Sequence, residues 1–152
     1  MSRSETQRLL MYEMAALSRK LRAHFDSVVR EKGLTLPRAR VLFALAEKEG
    51  ATQSELAGLL DIETPTLVRL LDSMAQAGLI ERRAAEGDRR VRRIFMTGEG
   101  RTASLEVHAI ADDFRNVLMT DMELAELETA LAVTQKLLAN LLAMKGGSDP
   151  EA

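Results

Sequence analysis

Between positions 82 and 93 the sequence places six arginines, at 82, 83, 89, 90, 92 and 93, against Glu86 and Asp88. A guanidinium is always charged and presents a planar fork of donors that fits phosphate oxygens or the edge of a guanine. Two or three arginines on one strand are ordinary solvated surface. Six in twelve residues, bracketing a Gly-Asp turn, are a patch built to face a polyanion. The whole chain carries 21 basic and 23 acidic residues, net −2, so with +4 in this segment the remainder is −6.

A second group precedes the first. Thr64, Thr66 and Arg69 fall within a turn and a half of a helix start, on the side away from Leu67, Leu70, Leu71 and Met74. Hydroxyls and a guanidinium at the N-terminal end of a helix can reach base edges or phosphates when that end enters a major groove. Catalytic chemistry finds no comparable group. His24 and His108 lie on separate helical segments, with no nucleophile or metal-ligand spacing around either. The methionines at 11, 14, 119, 122 and 144 suit a core or interface. We expect no enzyme, metal or cofactor.

The elements around these residues are legible. Residues 5–32 form one helix whose Leu10, Met14, Leu17, Leu21, Phe25 and Val28 recur every three or four positions, and Gly33 ends it. A 28-residue stripe exceeds what a small domain can cover, so a partner helix is expected. Thr35 and Pro37 open a second helix, with Val41, Leu42 and Leu45 inward and Gly50 at its end. Thr52, Gln53, Ser54 and Glu55 make a capping box for a short third helix, with Leu56, Leu59 and Leu60 inward. Asp61, Ile62 and Glu63 form a turn; Thr64 caps and Pro65 starts a fourth helix that reaches Gly78.

The period then changes. Residues 79–83 and 91–96 are short strands joined through Glu86, Gly87 and Asp88, with Ile94 and Met96 inward and Phe95 unexplained on the other face. Arg92 and Arg93 point to opposite faces, and Asp88 pairs with a neighbour to shape the loop. A fifth helix covers about 99–119. Thr120 to Glu123 read as another capping box, and a last helix runs to about Lys145, with Leu124, Leu127, Leu131, Leu138, Leu141 and Leu142 as a second stripe. The fold expected is mainly α with a small β-hairpin wing: a winged helix-turn-helix flanked by long dimerisation helices.

The runs Thr52 to Ala57, Ile62 to Arg69, Ala77 to Ile80, then Asp88, Arg89, Arg90, and Thr97 followed by Gly100 resemble the MarR family of bacterial and archaeal transcription regulators, most nearly its SlyA-type branch. The order of elements agrees throughout, and the motifs are strong over the central 50 or so residues. The resemblance implies a triangular homodimer occupying 1–152 as one domain. In it, 1–33 and 98–145 would dimerise, 34–97 would form the winged helix-turn-helix, and 146–152 would be a disordered tail.

By the same resemblance, Thr64, Pro65, Thr66 and Arg69 belong to the recognition helix, and Arg89 enters the minor groove at the wing tip. Asp88 and Arg90 complete the wing motif, and Thr52, Gln53 and Ser54 approach phosphates. Met96 stands where the family usually has Leu, and Gly98 loosens the start of the fifth helix. The resemblance also implies a small anionic aromatic or phenolic effector. Arg22, His24, Arg38 and Arg40 are the candidates for holding it. The absence of Trp and Cys argues against the urate-type and thiol-oxidation subgroups.

The function expected is a ligand-responsive transcription regulator, a repressor, binding an inverted-repeat operator in double-stranded DNA as a homodimer. The alternative is a winged-helix adaptor or anti-repressor that binds protein and not DNA; such a protein has no use for +4 on its hairpin. The absence of cysteine fits a cytoplasmic, nucleoid-associated protein. The first residues are amphipathic and carry acids, unlike a signal peptide, and no membrane span is expected.

Overall fold

Ser2 and Glu5 satisfy each other's backbone N–H groups at the head of α1, Arg3–Arg30, so the helix begins two residues before the position expected. The computed structural model describes residues 1–85 and 88–146, with 85, 88–90, 145 and 146 described by backbone only. The expected Glu86-Gly87 turn lies outside the described residues, as does the expected frayed tail apart from Gly146, which is the last residue of the final helix.

The chain divides into two compact units, residues 1–113 and 114–152. The first opens with α1 and α2, Leu36–Glu47. Thr35 has the extended backbone of an N-cap, but its hydroxyl makes no capping bond. The cap comes instead from α1: Asp26 accepts from the Leu36 N–H at 2.8 Å and from Arg30 Nε at 2.7 Å. The second helix stops at Glu47, before the expected Gly50.

Next, α3, Gln53–Leu60, and α4, Thr64–Gln76, meet across a turn in which Asp61 takes the left-handed conformation, φ 51°. The Thr52–Glu55 capping box is present as expected, with bonds of 2.8 and 3.2 Å. Two details differ from expectation. Thr64 is the first helical residue and not the cap, which is Glu63; and Leu59 is 58% exposed, because Leu56, Ala57 and Leu60 supply the inward face of α3.

The hairpin consists of β1, Ile80–Ala85, and β2, Asp88–Met96, paired antiparallel. Ile80 faces Met96 and Arg82 faces Ile94, so these four share the inner face, while Glu81, Phe95, Arg83 and Arg93 share the outer one. Leu67, Leu71 and Met74 of α4 are fully buried with Leu42, Leu45, Leu56 and Ile94. Each such side chain contributes about 1.5–3 kcal/mol over leaving it in water. Val29, and not Val28, is the residue of α1 that this core buries completely.

The fifth helix, α5, Gly98–Leu118, is seated by Thr97. Its hydroxyl donates to the Gly78 carbonyl at 2.5 Å and accepts from the Gly100 N–H at 3.0 Å. A Cβ built on Gly100 would collide with the Leu79 carbonyl oxygen. That contact explains the Thr97/Gly100 pairing, and Gly98, which meets nothing, is the permissive position. His108 packs edge-on against Phe43, 4.6 Å between centroids, and its Nδ1 donates to the Ser104 carbonyl at 2.8 Å, tying α5 to α2.

In the second unit α6, Leu124–Gly146, buries none of its residues through Met144; Leu124, Leu131, Leu138, Leu141 and Leu142 are each more than half exposed. The capping box expected at Thr120 is absent. Thr120 donates back to the Asn116 and Val117 carbonyls, and Glu126 accepts from the Glu123 N–H at the head of α6. The mainly helical chain with one antiparallel hairpin is a winged helix fold. No helix among the described residues is long and apolar enough to cross a membrane.

Candidate nucleic-acid interface

The first turn of α4 holds Thr64, Pro65 and Thr66, all exposed, and Arg69 follows one turn later, also exposed. Thr66 and Arg69 are three residues apart and therefore share a face. Glu63 makes no side-chain bond to the helix, so the first N–H groups of α4 are not capped by it. No ion pair among the described residues engages Arg69.

Its helical neighbour Asp72 is already engaged. Arg82 on β1 reaches it at 2.6 Å, laying its stem along the inner face of the hairpin. Arg83 pairs with Glu81 and covers the ring of Phe95, 4.4 Å from guanidinium carbon to centroid. Arg93 donates to the Gly50 carbonyl at 2.8 Å. Three of the six hairpin arginines thus hold the hairpin in place, a division of labour invisible in the composition. Arg92 is exposed, opposite Ala84, on the face opposite to Arg93 as expected. Asp88, Arg89 and Arg90 open β2, and their side chains lie outside the described residues, as does the pairing expected of Asp88.

Phe95 now has an explanation. It lies against Gly50, whose φ is +77° and where a Cβ would stand 3.0 Å from the ring. Only glycine combines that backbone angle with that closeness. Around this point residues 49–52 form a third edge on the hairpin. The Gly50 N–H donates to the Ile94 carbonyl and the Ile94 N–H to the Ala51 carbonyl, both at 2.9 Å, and Thr52 bridges Arg93.

Thr52 and Gln53 are half-buried and Ser54 exposed at the head of α3, beside this edge. Lys48 binds Glu55 at 2.6 Å and, with the Thr52 N–H, holds the Glu55 carboxyl down to a pKa of about 2.

The four effector candidates lie on two helices, α1 and α2. Arg22 and His24 are exposed on α1. Arg38 donates to Ser73 Oγ at 2.5 Å, linking α2 to α4, and Arg40 to the Leu60 carbonyl at 2.6 Å, linking α2 to α3. Arg40 alone of the four lines an open cavity of about 290 Å³, with Phe43, Ala44, Glu47, Leu59 and Leu60.

Residues 32–91 match the family model described as MarR family. Among solved structures, the transcriptional regulator PA3341 is 35% identical to this chain, with a TM-score of 0.81, covering 88% of this chain and 98% of its own. The MepR–DNA complex of S. aureus shares the fold at 23% identity and a TM-score of 0.77, over 86% of this chain and 95% of its own. BldR from Sulfolobus solfataricus does so at 22% and 0.79, over 92% and 99%.

Proposed function

The chain belongs to the MarR family of transcription regulators, and from that premise we propose that it is a homodimeric repressor that binds an inverted-repeat operator and releases it on binding an effector. The observation that carries this reading is Arg69, exposed on α4 while its neighbour Asp72 is taken by Arg82. With no ion pair among the described residues, the Arg69 guanidinium on the outward side of α4 is available to a phosphate or a base edge.

In this reading α4 enters the major groove with Thr64, Pro65, Thr66 and Arg69, and Thr52, Gln53 and Ser54 touch phosphates. The wing lies over the backbone with Asp88, Arg89 and Arg90 at its end, Arg89 in the minor groove. Residues 34–97 read DNA; 1–33 and 98–145 make the dimer. The exposed leucines of α6, together with Leu10, Met11 and Leu17 on α1, support that assignment, because apolar faces of this extent are the mark of an interface.

Two modest readers at a fixed separation become one specific reader. An effector, a small anionic aromatic or phenolic compound, acts by preferring a subunit spacing that two successive major grooves cannot match. The test is selection of random genomic fragments by the intact protein at moderate salt. Recovery of inverted repeats with half-sites about one helical turn apart supports the reading; recovery of no DNA, with protein partners in its place, overturns it.

A further inference from the structure

The Glu49 carboxylate sits where the end of α2, the hairpin and the first turn of α5 meet. One oxygen accepts from the Met96 N–H at 3.2 Å, and the other accepts from Arg101 at 2.7 Å. The first bond has a specific place in the hairpin. Met96 faces Ile80 across the strand pair, and its N–H turns toward the third edge formed by residues 49–52. On that edge backbone groups make the rungs at Ile94. At Met96 the chain has turned away toward the end of α2, and the Glu49 side chain supplies the acceptor that the backbone does not.

The second bond leaves the hairpin altogether. Arg101 lies in the first turn of α5, next to Gly100, which is pressed against Leu79. One side chain therefore joins the base of the wing to the start of the helix that runs on to Leu118. Arg101, and then the Met96 N–H, hold the Glu49 carboxyl below the usual carboxylate range, so it is ionised where it takes both bonds. Arg101 is correspondingly raised by Glu49.

We propose that Glu49 is a positioning residue for DNA docking: it fixes the base of the hairpin, at Met96, against the start of α5, and so sets how the hairpin strands are presented beside α4. The proposal rests on the DNA-binding reading for its consequence, though not for its geometry. Glu49 itself does not touch DNA. It acts through the wing, so its effect on affinity vanishes when the wing contact is already lost.

Two measurements on the full-length protein test it. In the free protein, Glu49→Ala raises amide hydrogen exchange at Met96 and Ile94 by about tenfold, while amides of α3 and α4 keep wild-type rates. Glu49→Gln, which retains an acceptor for Met96 but not the ion pair, falls between the two. Unchanged exchange in Glu49→Ala, or an equal rise throughout the unit, overturns the brace whether or not the protein binds DNA.

On a selected operator, Glu49→Ala weakens binding about tenfold alone, adds little to Arg89→Ala, and adds fully to Arg69→Ala. Full additivity with Arg89→Ala contradicts the route through the wing. Raised exchange in Glu49→Ala, together with a wild-type protein that binds no DNA, leaves the brace standing and removes the DNA reading.

Discussion

Arg82 on the first strand of the wing binds Asp72 on the recognition helix at 2.6 Å, so the two parts proposed to read DNA are tied directly to each other. The pair is half solvated, with Arg82 28% and Asp72 58% exposed. Arg82→Ala should therefore lower stability by only about 0.5–1 kcal/mol, discounted for screening. Its effect on operator affinity should be smaller than that of Arg89→Ala, since Arg82 is spent on Asp72. A thermal melt and a titration read both; an Arg82→Ala affinity loss larger than that of Arg89→Ala would place Arg82 itself on DNA.

Gly100→Ala is expected to be far more damaging than Gly98→Ala. The first adds a methyl against the Leu79 carbonyl, and the second meets nothing. Overpacking against backbone costs about 1–3 kcal/mol; a Gly→Ala change in open space, at a backbone conformation alanine can adopt, stabilises by about 0.4–1 kcal/mol. Chemical denaturation of the two variants decides it, and equal midpoints would contradict the close approach seen here.

Much of this was legible beforehand, and the misses share a cause. The Thr52–Glu55 box, the Asp61 turn and the inward Leu67, Leu71 and Met74 follow from local chemistry and periodicity, which sequence displays directly. Thr35 failed as a side-chain cap because the acceptor came from elsewhere, and Thr64 and Thr120 because α4 begins one residue earlier and α6 three residues later than expected. Asp26, ten residues upstream of Leu36, caps α2. Glu49, Phe95 and Arg93 depend on contacts 43 to 52 residues apart, and no local pattern marks them.

Acid should weaken the head of α3 in a defined window. Lys48 first, and then the Thr52 N–H, lower the Glu55 pKa from 4.5 to about 2. A carboxyl depressed on folding contributes stability that is fully present above its unfolded pKa and lost as pH falls through the folded one. The contribution of Glu55 is therefore intact at pH 7, begins to fade below 4.5 and is gone below about 2. Glu55→Gln should flatten the stability profile across that window; a profile parallel to wild type would show that the group does not titrate as described.

The α6 stripe gives a prediction about assembly. Leu138 is 55% exposed, and an exposed substitution costs within about 0.5 kcal/mol of folding free energy. If α6 makes the dimer, Leu138→Glu yields a folded monomer by sedimentation at micromolar concentration. A dimer as tight as wild type would move the interface off this face.

The claim that the wing grips DNA through Arg89 is tested most directly by the salt dependence of operator binding. Anisotropy titrations across a salt series give log K against log salt, whose slope counts neutralised phosphates at about 0.9 each. Arg89→Ala should bind more weakly with a slope shallower by about 1 per half-site and with the dimer intact. An unchanged affinity and an unchanged slope would contradict the account.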